Sequence, residues 1–224
     1  LILNSWMSNI EIKNLTATGD GSSDNIFNIN SSVFSLKNLS ISNAGYNGIW
    51  IGNSTGEFDN LTSSNNEESG ISANRSRIRM TNSAISGNKG DGIRIDENSS
   101  LELRSSTITS NVDEGIEVEG NSYLTVRDTS ITNNGDAAIQ IDEGSSIYVK
   151  DATITGISAK NAIRAYNRSS IILSEGSGTT LISTTNADAI QMQSSHGEIR
   201  DGVTVTSDTT GIYLSRDSFI SIED

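Results

Sequence analysis

The stretch Gly92-Ile93-Arg94-Ile95-Asp96-Glu97-Asn98-Ser99-Ser100-Leu101-Glu102-Leu103-Arg104-Ser105-Ser106-Thr107-Ile108-Thr109-Ser110-Asn111-Val112-Asp113-Glu114 decides the fold. It holds three short runs in which apolar and polar residues alternate: Ile93-Arg94-Ile95, Leu101-Glu102-Leu103 and Thr107-Ile108-Thr109. Alternation with period two marks half-buried β-strands, whereas a helix needs an apolar period of about 3.6 over many residues. Turns at Asp96-Glu97-Asn98-Ser99 and Arg104-Ser105-Ser106 separate the runs, and residues 110–114 lead into the next unit.

That unit recurs along the chain. The small residue that opens each unit is Gly48, Gly70, Gly92, Gly115, Ala138, Ala162, Ala189 and Gly211, with gaps of 22, 22, 23, 23, 24, 27 and 22 residues. Ile26 to Ile29 opens another unit upstream, and residues 1–25 supply most of one more. Three short strands cannot bury an apolar edge alone, but stacked on similar neighbours they bury a continuous ladder. The expectation is an all-β solenoid of roughly nine coils of 22–27 residues with three short strands per coil. At about 4.8 Å per coil the rod is roughly 40–50 Å long. Its interior holds columns of isoleucine: Ile49, Ile71, Ile93, Ile116, Ile139, Ile163 and Ile190 in the first strand, and Ile85, Ile108, Ile131 and Ile154 in the third. Asn65, Asn88, Asn111 and Asn134 recur after the third strand and fit a turn in which stacked amides bond coil to coil.

Composition agrees with a thin, repetitive core. The 224 residues are 33% hydrophobic, with no Pro and no Cys, and the net charge is −13. Such a charge disfavours nucleic acid and anionic membrane as partners, because both need Lys and Arg to neutralise phosphates. Without Cys there is no disulfide framework or thiolate chemistry. No stretch is long and apolar enough to insert in a membrane, and no signal peptide is visible. The chain is expected to be a single β-helix domain over 1–224, cut from a longer protein.

The phrases Gly90-Asp91-Gly92-Ile93-Arg94-Ile95 and Ser106-Thr107-Ile108-Thr109-Ser110-Asn111 resemble the repeat of right-handed parallel β-helix proteins, the pectin-lyase-like superfamily. The resemblance covers nearly the whole chain and implies a right-handed single-stranded parallel β-helix. It implies less about activity, since that superfamily holds polysaccharide lyases, hydrolases, phage tailspikes and adhesins.

Outward positions of the first strand stack into charged columns. Arg94, Glu117, Gln140 and Arg164 form one, with Tyr166 beside them, and together these are candidates to bind a glycan. Asp96, Glu119 and Asp142 form another, a candidate Ca²⁺ site, since three stacked carboxylates need a cation, arginine partners or a shared proton. The alternative is a solvated acidic face. No other cofactor is required. Superfamily lyases resemble this in placing acidic Ca²⁺ ligands and a basic residue on one sheet.

A second acidic group precedes the small residue of each unit: Asp91, Asp113 with Glu114, and Asp136. With Arg164 these are the catalytic candidates if the protein is an enzyme. The resemblance to polygalacturonases is partial: Asp91-Gly92 and Asp113-Glu114 match two of that family's acidic phrases in part. Arg164 falls where the family has an arginine, but Tyr166 stands in place of its lysine and the Gly-His-Gly phrase is missing. Asp before Gly is also an ordinary turn residue. The lone His196 reads as a turn residue, and Trp50, Tyr148, Tyr166 and Tyr213 point outward without forming one platform. A Thr-x-Thr array at Thr107 and Thr109, Ser130 and Thr132, Thr153 and Thr155 resembles ice-binding solenoids, but it degrades in earlier coils. Residues 20–24 and the longer coil around 175–178 read as protruding loops.

The leading expectation is a non-catalytic stalk or adhesin module on a cell or virion surface, monomeric or homotrimeric, displaying polar columns to a polysaccharide or cell-surface glycan. The alternative is a carbohydrate-active enzyme, a polysaccharide lyase or glycoside hydrolase, acting at the acidic first-strand face. Ice binding is a minor alternative.

Overall fold

The computed structural model describes residues 2–4, 9–22 and 24–223, so Ser23 of the loop expected at 20–24 and part of the coil expected over 1–25 lie outside the described residues. The described residues form parallel strands with no helix. First strands pair in chain order into a ten-stranded sheet: Ile2–Asn4, Phe27–Asn30, Ile49–Gly52, Ile71–Asn74, Ile93–Asp96, Ile116–Val118, Ile139–Ile141, Ile163–Ala165, Ile190–Gln193 and Ile212–Ser215. The register is the one the repeat demands, with Ile93 beside Ile116 and Arg94 beside Glu117. Like residues therefore stack on like, and the isoleucines of both columns are at most 1% exposed. Each such side chain contributes about 1.5–3 kcal/mol by leaving water.

The expectation of three short strands per coil holds only from the fourth coil onward. In the first three the second and third strands are one long strand, Ile10–Thr18, Val33–Ser42 and Thr55–Ser64. Each bends at an asparagine with positive φ: Asn14 (57°), Asn38 (53°) and Asn60 (59°). Asparagine tolerates the left-handed region, so the strand turns a corner there without breaking its ladder. In later coils the same corner is Asn82, Ser105, Asp128 and Asp151, all with positive φ, and the two strands are separate.

Every corner carries its own polar ladder, which solves the problem of buried backbone donors at a turn. After the first strand the amides of Ser32, Ser54, Ser76, Ser99 and Ser122 donate to the hydroxyl of the equivalent serine one coil on, at 3.0–3.1 Å. Most of these hydroxyls donate in turn to a carbonyl of their own coil, as Ser54 does to Gly52 at 2.7 Å. Ser83, Ser106 and Thr129 repeat the device at the second corner.

The third corner uses asparagine, and here one expectation needs correcting. The buried ladder is Asn66, Asn88, Asn111 and Asn134, the Nδ2 of each of the first three donating to the next Oδ1 at 2.8–2.9 Å. Asn65 is exposed and belongs to the neighbouring column of positive φ with Asn43, Gly87, Ser110 and Asn133. The ladder also explains the opening glycines. A Cβ on Gly48, Gly70, Gly92 or Gly115 would lie 2.6–2.8 Å from the Nδ2 of Asn66, Asn88, Asn111 or Asn134 respectively. Beyond Asn134 the amide ladder stops, and the opening residue becomes Ala138, Ala162 and Ala189, all fully buried. The loop at 175–178 folds back rather than protruding freely, with the amides of Gly176 and Gly178 donating to Asp151 Oδ1 at 2.6 and 3.1 Å.

Candidate functional site

The third corner feeds the first strand, so the residue before each opening glycine lands at the margin of the first-strand sheet. Asp91, Asp113 with Glu114, and Asp136 arrive there on three successive coils. The tight passage through Gly92 and Gly115 leaves Asp91 and Glu114 each only 6% exposed, while Asp113 is exposed. Ligand oxygens of Asp91, Asp113 and Glu114 lie within 4.8 Å of one another, and Asp91 Oδ1 is buried without a hydrogen-bond partner.

The two groups of candidates expected from sequence meet here. Arg164 reaches back from the first-strand column, and its Nη2 donates to Glu114 Oε1 at 2.6 Å and to Asp136 Oδ2 at 2.8 Å. Lys160 Nζ lies 3.1 Å from Asp136 Oδ1. Arg94 forms ion pairs with Glu117 and Glu119, and Gln140 Nε2 donates to Glu117 Oε1 at 3.3 Å. Glu117, expected to face solvent, is outside the core yet covered by these neighbours and 8% exposed. Tyr166 stands apart, half-buried, its hydroxyl 3.4 Å from Gln191 Oε1.

Proton affinities in the cluster diverge. Burial, reinforced by the negative charges of Glu117, Glu114 and Asp113, pushes Asp91 up to about 8, with Arg94 opposing. Burial and then the hydrogen bond and charge of Asp113 push Glu114 up to about 7, although Arg164 pulls the other way. Asp136 is held below the usual carboxylate value: burial acts to raise it, but the hydrogen bonds and charges of Arg164 and Lys160 outweigh that.

The column Asp96, Glu119 and Asp142 is arranged differently. Asp96 Oδ1 accepts the Glu97 amide at 2.6 Å, and Asp142 Oδ1 accepts the Glu143 amide at 2.6 Å and Asn167 Nδ2 at 2.7 Å. Glu119 is taken by Arg94, so local partners already relieve this column's repulsion. Burial leads the causes that raise the Glu119 pKa, and the charge of Glu117 adds to it. Among the described residues, the group of acids close enough to hold one ion is Asp91, Asp113 and Glu114. Their hard oxygens suit Ca²⁺, and the partnerless Asp91 oxygen is the kind of ligand such an ion would satisfy. Lys160 is the one member of the cluster that column arithmetic did not single out, because it lies in the irregular approach to Ala162.

His196 corrects another expectation. It is the first residue of the strand His196–Ile199, not part of a turn, and its ring stacks on Phe219 with centroids 5.6 Å apart. Trp50 and Tyr213 share the column of Arg94 and Arg164, Trp50 two coils before Arg94 and Tyr213 two coils after Arg164.

A stack of coils whose strands pair in parallel, each with its equivalent one coil on, defines the class of parallel β-helices. The chain belongs to the family described as right handed beta helix region, whose model matches residues 24–177. No curated protein sequence matches the chain. Among solved structures, the periplasmic alginate epimerase AlgG is similar at 15% identity and a TM-score of 0.59, over 85% of this chain and 51% of that one. The chain thus spans about half the length of that neighbour. The A-module of Azotobacter vinelandii mannuronan C-5 epimerase AlgE4 is similar at 13% identity and a TM-score of 0.58, over 97% of this chain and 72% of the other. Pectate lyase Pel9A is similar at 13% identity and a TM-score of 0.57, over 96% and 69%. These likenesses establish the shared fold. No helix among the described residues is long and apolar enough to cross a membrane.

Proposed function

We propose that the chain is a polysaccharide-binding β-helix module outside the cytoplasm, which engages an acidic glycan on its first-strand face through a divalent cation at Asp91, Asp113 and Glu114. The observation that carries this reading is the buried Asp91 oxygen left without a partner beside two further carboxylates. An ion there relieves the mutual repulsion that raises Asp91 and Glu114, taking the place of their protons, and offers its open positions to sugar carboxylates. A chain of net charge −13 otherwise repels a polyanion, so a bridging cation resolves the conflict. Support also comes from structural neighbours named for alginate, mannuronan and pectate, which are all polyuronates. Arg164 and Lys160 keep Asp136 ionised and leave the cluster a basic rim at which a sugar carboxylate can dock.

One observation favours chemistry instead. Glu114 is raised to about 7 while Asp136 is lowered, and carboxyls whose environments drive them apart are the usual makings of a general acid and a general base. The two readings separate in one experiment. Purified protein is melted in EDTA, CaCl₂ and MgCl₂ at matched ionic strength, then titrated with polygalacturonate and alginate while unsaturated products, reducing ends and epimer content are followed. A Ca²⁺-selective stabilisation lost in Asp91→Asn, with Ca²⁺-dependent binding and no turnover, supports the module. Turnover abolished by Glu114→Gln replaces it with the enzyme. Equal responses to both cations indicate general screening and remove the site.

A further inference from the structure

The second-strand face has the opposite charge to the rest of the molecule. Four consecutive strands, Arg77–Thr81, Ser100–Arg104, Tyr123–Arg127 and Ser146–Lys150, display Arg77, Arg79, Arg104, Arg127 and Lys150 against a single acid, Glu102. Five cations less one acid leave +4 on these strands of a chain whose total is −13. Glu102 is shared, ion-paired with Arg104 and 3.9 Å from Arg79 Nε. Among the described residues Arg77, Arg127 and Lys150 have no ion pair. The nearest acids are already engaged or lie at the margins: Glu57, beside Arg79 on the preceding coil, accepts from the Ser35 hydroxyl and lies 3.8 Å from Lys37 Nζ, Asp59 accepts from Thr81 and Asn82, Asp151 holds the loop amides of Gly176 and Gly178, and Asp128 sits in the corner beyond Arg127.

The same face holds a shallow groove of about 600 Å³ that runs across five coils from Val33 to Tyr123, its walls including Arg77, Arg79, Thr125 and Ser100 alongside Glu57 and Glu102, with the free cations Arg127 and Lys150 beyond its far end. Val33 and Tyr123, at its two ends, are 47% and 46% exposed. At the far end of Tyr123's own strand, the Arg127 guanidinium lies over the ring of Tyr148 on the next coil at 5.2 Å, and its Nε is buried without a hydrogen-bond partner. Cations, hydroxyls and tyrosines thus recur at the coil spacing of about 4.8 Å along the rod axis. A polymer with an anionic group on its repeating sugar can run parallel to that axis. Aromatic faces take the apolar side of a sugar ring, and guanidinium groups take carboxylate or sulfate in bidentate fashion. A polyphosphate fits less well, because its dense charge needs more neutralising side chains than this face offers and meets repulsion from the remainder of the chain.

We propose that this basic face is a second binding surface, independent of any metal ion, for an anionic polysaccharide, with Arg77, Arg127 and Lys150 meeting its acidic groups and Tyr123 a sugar ring. It does not depend on the first-strand cation site. The test is binding of the intact chain, in EDTA at low salt, to polygalacturonate, dextran sulfate, neutral dextran and a single-stranded oligonucleotide. The expected result is binding to an anionic polysaccharide that weakens as NaCl is added and is unchanged in Asp91→Asn. It should fall about tenfold or more in the double variant Arg77→Glu/Lys150→Glu and by less in the single variant Arg77→Glu, the exposed Arg77 change leaving the melting temperature at the wild-type value. Tyr123→Ala should weaken it further. Absence of binding in EDTA, equal binding by the charge-reversed variant, equal binding of neutral dextran, or binding of the oligonucleotide alone would each overturn the proposal.

Discussion

Replacing Asn111 with alanine tests the corner ladder directly. Asn111 is 2% exposed, and its Oδ1 accepts both the Asn88 backbone amide at 3.2 Å and Asn88 Nδ2 at 2.8 Å. Its own Nδ2 donates to Asn134 Oδ1 at 2.9 Å, but that oxygen keeps the Asn111 amide at 3.1 Å when the side chain is removed. Truncation therefore strands two buried donors, both on Asn88. At about 1–3 kcal/mol for each unsatisfied group the cost is roughly 2–6 kcal/mol, a large share of a typical stability of about 5–15 kcal/mol. For a chain of this size, 1 kcal/mol moves the melting temperature by about 2–4 °C, so the expected drop is about 4–24 °C. The control is Asn65→Ala, at an exposed residue with φ of 54°, where left-handed strain on alanine costs about 1 kcal/mol. Both variants are melted by circular dichroism under reversible conditions, with urea midpoints as a second measure. If the two lost stability equally, the ladder would not be a stabilising element, and Asn65 and Asn111 would be equivalent turn residues.

Ile116→Asp and Ile139→Asp should prevent folding, because each buries an unpaired carboxylate between coils, while Thr132→Ala should stay within about 0.5 kcal/mol of wild type; similar melts for both kinds of change would put the inside and outside of the strands in the wrong register. Gly92→Ala should lose stability, since its Cβ would lie 2.5 Å from the Gly115 carbonyl oxygen and 2.7 Å from Asn111 Nδ2; an unchanged melt would mean that the coils are looser there than the structure shows. In EDTA, the chain should become less stable as pH rises from about 4 to about 8. Asp91 and Glu114, raised to about 8 and about 7, keep protons in the folded state that the unfolded chain has already released, so unfolding is favoured at up to about 1.4 kcal/mol per pH unit for each group. Asp91→Asn should flatten that profile in chemical denaturation, and identical profiles for the two proteins would refute the assignment.

The fold was legible because a strand shows itself by alternation and a solenoid by recurrence, and both are written in Ile93, Ile95, Ile108 and their equivalents. Register followed, since only one spacing stacks isoleucine on isoleucine. The merging of second and third strands in the first coils was not legible, because Asn38 and Asn82 are the same residue type at the same corner and differ only in whether the ladder runs through them. The choice between Asn65 and Asn66 turned on one residue of spacing, and Asn66 lies 22 residues before Asn88, the local period. Serine ladders were hidden by the abundance of serine, which looks the same whether it faces out or caps a corner. At the candidate site, columns of charge could be drawn from the repeat, but not the reach of long side chains. Arg164 crosses two coils to Glu114 instead of turning to Asp142 in the neighbouring column, a rotamer choice made by burial and competing partners.

The pairing of each opening glycine with an asparagine 18 or 19 residues later, from Gly48 with Asn66 to Gly115 with Asn134, has a consequence for how such a rod grows. The void left by the one is filled by the amide of the other, so the two are inherited usefully only together. A copied segment that begins at the glycine and ends past the asparagine carries its own fit and adds a rung without repair elsewhere. At Ala138 one kind of rung gives way to another, the glycine's space taken by a buried methyl group.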